Sequence, residues 1–71
     1  MINIKMTEEE IQQAIKFLEK ERQAGVTTIS IQGGKYLIAE LIEETKLRHQ
    51  KTISLLEILK GERFQEFMMS L

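Results

Sequence analysis

The residues best placed to do chemistry are few. Gly33, Gly34 and Lys35 follow a β-branched run, Val26 to Ile31, and precede a helical pattern that begins at Tyr36. A glycine turn between a strand and a helix can hold phosphate on its backbone amides, helped by the helix dipole and a nearby lysine. A P-loop would need more glycine spacing and a Ser or Thr after the lysine, where Tyr36 stands. A dinucleotide fingerprint would need a third glycine further into the helix, where Ala39 is the nearest small residue. Anion or nucleotide binding at Gly33, Gly34 and Lys35 is therefore the weakest of three functional readings. The spacing favours glycines that supply positive φ for a tight turn.

His49 is the chain's one histidine, and Lys46, Arg48 and Lys51 surround it in sequence. The chain has no cysteine and no aspartate, so Ser30, Ser54 and Ser70 lack the partners of a hydrolytic triad. The same absences argue against a structural zinc site. Glu40, Glu43 and Glu44 could pair as carboxylates, but on a helix they read as solvated charges. The expectation is a protein that is not an enzyme and takes no cofactor and no metal.

The stretch ETKLRHQKTIS, Glu44 to Ser54, resembles the middle of a helix-turn-helix DNA-binding motif. That resemblance implies a DNA-binding regulator with Lys46, Arg48 and Lys51 against nucleic acid, chiefly its phosphates. It departs from the motif at two points. Lys46 occupies the turn position usually held by glycine, and the spacing to Ile53 is one residue longer. The net charge is −1, with acids and bases mixed in every segment, so the chain lacks a basic field that would draw in nucleic acid. DNA binding stands as the alternative reading.

The elements that must position these residues begin at Thr7. Thr7 and Glu10 form a capping-box pattern, with Met6 and Ile11 spaced as a hydrophobic staple. A helix is predicted from Glu8 to about Ala24, ended by Gly25, with Ile11, Ala14, Ile15 and Leu18 on one face and Phe17 at its edge. Ahead of it, Ile2, Ile4 and Met6 alternate with Asn3 and Lys5, the period of a short strand. In the later strand, Ile29 and Ile31 share a face and Thr28 and Ser30 the other.

From Tyr36 to Lys60 no glycine, proline or asparagine marks a break, which favours one continuous helix; the alternative is a break near KLRHQK, Lys46 to Lys51, and a restart as KTISLLEILK, Lys51 to Lys60. In one helix Ile38, Ile42, Thr45, His49, Thr52, Leu56 and Leu59 keep heptad spacing, an oligomer seam with a polar middle. Gly61 ends that segment. Phe64, Phe67, Met68 and Leu71 follow at helical spacing and form a short terminal helix with an apolar face, open to a partner's groove or to the first helix.

The fold class expected is α+β and mainly helical: short strand or strands, a long amphipathic helix and a short C-terminal helix, in a single small domain over residues 1–71. A chain of 71 residues buries little core, and small domains lean on disulfides, metals or partner chains. With no cysteine, self-association is the expected staple. No apolar run approaches the ~20 residues of a membrane span, and the opening MINIKMTEEE lacks the apolar core of a secretory signal. The leading expectation is a cytoplasmic protein-interaction module: a homo-oligomeric regulator or inhibitor, of a prokaryotic or phage kind by analogy, that binds itself and a protein partner. Nucleic acid is the lesser partner, and no membrane is involved.

Overall fold

The computed structural model describes residues 6–69. It is a mainly helical α+β fold in the order α1 (Glu8–Gln23), β1 (Thr28–Ile31), β2 (Gly34–Leu37), α2 (Ile38–Lys46), α3 (Gln50–Glu62) and α4 (Phe64–Met69). The alternating stretch at Ile2 to Lys5 lies outside the described residues, as does Leu71.

α1 begins as its sequence requires. Glu10 N donates to Thr7 Oγ1 at 3.1 Å, and Thr7 N donates back to Glu10 Oε1 at 2.9 Å. This reciprocal box satisfies two of the amide donors that a helix start leaves open. Met6 and Ile11 are both buried beside it. Glu8, Glu9 and Glu10 occupy the first turn, where the helix dipole favours negative charge. At the other end Val26 N donates to Glu21 O and Gly25 N to Arg22 O, both at 3.0 Å, with Gly25 at φ +95°. These two bonds form a Schellman motif, which needs a left-handed residue where Gly25 sits.

The glycine pair does not lead from strand to helix. Gln32 at φ +48° and Gly33 at φ +83° form a two-residue turn of the type I′ kind, and the chain returns as β2, antiparallel to β1. The helical pattern read from Tyr36 therefore starts two residues later, at Ile38. Register places Ile29 opposite Tyr36 and Ile31 opposite Gly34 on the buried face, while Thr28 and Ser30 face out as expected. Gly34 has no positive φ. It is needed instead because the Tyr36 ring lies over it: a Cβ at Gly34 would sit 2.9 Å from Tyr36 Oη.

The favoured continuous helix from Tyr36 to Lys60 is two helices, the alternative reading, with the break inside KLRHQK. α2 stops at Lys46, Leu47 caps it, Arg48 turns to φ +60°, and His49 starts α3. His49 N donates to Glu44 O at 3.0 Å and Arg48 N to Thr45 O at 2.9 Å, the same Schellman pair that closes α1. Gly61 also differs from expectation. α3 runs through it to Glu62, and Arg63, at φ −129° and ψ 41°, makes the break before α4.

One apolar core joins all six elements. Leu18, Leu56 and Leu59 are fully buried, and each such side chain contributes about 2 kcal/mol of transfer free energy. Phe17 of α1 and Phe67 of α4 stack with ring centroids 4.7 Å apart, which fixes the terminal helix on the first one. Two buried hydroxyls are satisfied within the core's edge. Thr45 Oγ1 donates to Leu41 O at 2.5 Å, and Thr52 Oγ1 donates to Glu44 Oε1 at 2.7 Å. Among the described residues, no helix is long and apolar enough to cross a membrane.

Candidate interaction surface

The break at Leu47 to His49 decides where the expected seam points. By folding α3 back on α2 it turns Ile38, Ile42, Thr45, Thr52 and Leu56 into the chain's own core, where each is at most 2% exposed. Phe67 is buried as well. These six residues, expected at an oligomer or partner interface, are corrected to core positions: a side chain enclosed by its own fold has no surface left to offer. Of the described residues of the seam and the terminal stripe, only His49, Phe64 and Met68 are exposed. Phe64 and Met68, 52% and 49% exposed, share the outer face of α4 four residues apart. His49 is no seam residue. It stands at the N-cap of α3 and makes no side-chain capping bond.

The three basic residues of the helix-turn-helix resemblance serve different ends. Arg48 is tied inward: its guanidinium donates to Thr45 O at 2.8 Å, to Lys46 O at 3.1 Å, and to the Glu8 carboxylate at the start of α1. The hydrogen bond from Arg48, with a second from the Gln12 amide, holds the Glu8 carboxyl below its ordinary range, and Glu8 raises Arg48 in turn. Lys46 Nζ lies 3.8 Å from Glu19 Oε2. Lys51 is exposed at the start of α3. A tight turn does join α2 to α3, with its left-handed residue at Arg48 rather than at Lys46, where the motif's glycine was aligned.

Gly33, Gly34 and Lys35 are in the hairpin, with Gly33 in its turn and the other two in β2. No helix starts at them, so the dipole argument for an anion does not apply at this turn; the helix that follows β2 begins at Ile38. Among the described residues, no three histidine, cysteine, aspartate or glutamate side chains are placed so that they could hold a metal ion.

The surface that sequence reading missed is a groove of about 660 Å³ between β2, α2 and α3. Tyr36, Leu37, Leu41, Leu55 and Ile58 give it an apolar lining, and Lys35, Lys51, Glu40 and Glu44 stand around it. Its signal was present in α3. Ile53, Leu56 and Leu59 make one buried stripe, yet Leu55 and Ile58 add a second that a single core contact does not use.

β2 runs along this groove as a sheet edge, because the sheet has two strands among the described residues. Ile38 N donates to Thr27 O at 3.0 Å, which marks a bonded rung of the ladder. Bonded rungs alternate in an antiparallel pair, so Ile29–Tyr36 and Ile31–Gly34 are bonded. Lys35 and Leu37 therefore aim their backbone groups away from β1. Against family models, curated proteins and solved structures, the chain finds no match.

Proposed function

We propose that the chain is a small non-enzymatic protein-interaction module, a homo-oligomeric regulator or inhibitor that acts in the cytoplasm by binding macromolecular partners through apolar surface. The observation that carries this reading is the groove: an apolar hollow of about 660 Å³ beside a strand edge that is unpaired among the described residues. Pockets that take partners combine an apolar floor with a few polar groups at the rim, and this one does so with two lysines and two glutamates. The outer face of α4, with Phe64 and Met68, is a second apolar surface.

The DNA-binding alternative keeps one observation in its favour, the tight turn between α2 and α3. Against it, Arg48 and Lys46 lie beside Glu8 and Glu19 on the surface, and acidic neighbours lower the positive potential that would draw in phosphate.

A photo-crosslinking residue at Ser54, on the groove rim, separates the readings; the same residue at Lys16, exposed on α1, is the control. In the native cells, Ser54 is expected to form protein adducts that Lys16 does not and that Ile58→Glu abolishes. Adducts to nucleic acid alone, lost steeply with added salt, would overturn the reading in favour of the DNA-binding one.

A further inference from the structure

We propose that the groove seats β2 of a second copy of this chain, so that two hairpins join edge to edge as one four-stranded antiparallel sheet. This rests on the interaction-module reading and names its first partner.

Among the described residues the sheet ends at β2, while α2 and α3 continue beneath and beyond it. Its buried face covers core residues through Ile29 and Ile31, and Tyr36 extends that cover to the edge of β2. Beyond that edge Leu41, Leu55 and Ile58 line the open groove. A further strand beside β2 would lie above them and continue the same face.

The edge also dictates a register. The backbone N–H and C=O groups of Lys35 and Leu37 point outward. Outward residues can pair only with outward residues. A two-fold antiparallel pairing centred on Tyr36 meets that condition. It sets Lys35 opposite the partner's Leu37, and each Leu37 N–H donates to the Lys35 carbonyl across the axis. Tyr36 then faces its own counterpart on the buried side. Because the pattern is its own complement, assembly closes at two copies.

Charge and composition agree with a self-complementary contact. The groove carries two lysines and two glutamates, and the register keeps Lys35 away from the partner's Lys35. Leu37 is 50% exposed at an N-cap, a position that favours Ser, Thr, Asp or Asn. An apolar side chain there forgoes a cap, and the second copy would cover it.

Leu37→Pro tests this sharply, because Leu37 has φ −75°, which proline takes, and the change removes the N–H that donates across the axis. Sedimentation at micromolar concentration is expected to give twice the 8.3 kDa chain mass for the wild type. Leu37→Pro is expected to sediment at the chain mass, with dimer affinity weakened at least about tenfold, while circular dichroism shows the folded helix content of the wild type. Amide exchange needs no variant: the Leu37 amide of the wild type should slow as concentration rises. A wild type that stays monomeric to several hundred micromolar overturns the dimer. So does a dimer that Leu37→Pro leaves intact while Leu37 exchange ignores concentration. If the chain is monomeric and Ser54 still crosslinks a different protein, this inference fails and the interaction-module reading survives. Nucleic-acid adducts alone alongside an intact β2 dimer reverse that outcome.

Discussion

α1 and α2 end in the same pair of backbone bonds, but α1 places Gly25 at the left-handed position and α2 places Arg48 there. Glycine takes that conformation without steric cost, whereas an L side chain costs roughly 1–2 kcal/mol. The α2 terminus offsets that cost through the side chain that causes it. The Arg48 guanidinium covers two carbonyls of the helix end, where the dipole is negative, and reaches Glu8 at the positive end of α1. One stop is written locally; the other is held by a partner forty residues away.

The largest expected effect comes from spoiling the local stop. Gly25→Val should destabilise by about 2 kcal/mol and lower Tm by ~10 °C. No atom lies within 4 Å of the site where a Cβ would be added, so the cost is conformational and not a clash. A Tm within a degree or two of wild type would show that the left-handed residue is not what ends α1.

The helix starts extend the contrast. Thr7→Ala should cost about 1 kcal/mol, the usual value of an N-cap, while His49→Ser should gain up to about 1 kcal/mol because α3 has no side-chain cap to lose. Denaturant midpoints that move in the same direction for both variants would break the comparison.

At Arg48 the two replacements should separate. Alanine keeps the strained backbone and loses the guanidinium, so Tm falls by several degrees. Glycine loses the guanidinium and relieves the backbone, so it should melt between alanine and wild type. An alanine variant as stable as the glycine one would show that the backbone at Arg48 carries no strain.

How far the contrast was legible follows from what each stop uses. Thr7, Glu10 and Gly25 carry their signals within a few residues, and the capping box and the end of α1 could be read directly. The break at Arg48 has no such signal, since arginine is an ordinary helix former and Glu8 lies far off in sequence. Reading through it produced one helix, and with it a seam whose buried face was assigned to a partner. The hairpin failed for a different reason. Gln32 and Gly33 do make a turn, but Lys35 to Leu37 are too few to show the period of a strand, and the apolar pattern from Tyr36 merged with that of α2. The groove follows from both errors: neither β2 nor the α2–α3 angle existed in the linear reading, so Leu55 and Ile58 had no wall to face.

The smallest effect is electrostatic. Glu8 is ionised more readily in the folded chain than its usual value of 4.5 implies. A depressed carboxyl contributes stability that is full above the unfolded value and is lost as pH falls through the folded one. The pair is exposed and salt screens it, so the contribution is slight. The Tm difference between wild type and Glu8→Gln should therefore be present near neutrality and close below pH 4.5. A difference that persists at low pH would assign the effect to packing instead.

The separation between Glu8 and Arg48 also orders events in time. The β1–β2 hairpin closes over two residues and needs nothing distant, whereas the arginine-held corner needs α1 to have docked. Loop closure over such a span must precede any reward from the contact. An excised peptide of residues 36–60 has no Glu8, and it is expected to favour a single uninterrupted helix over two. Circular dichroism and amide connectivities across Leu47 to His49 would read that choice directly. That outcome would make the corner a late step of folding. Arg48→Ala should accelerate unfolding far more than it slows folding, because a contact formed after the transition state acts mainly on the way out.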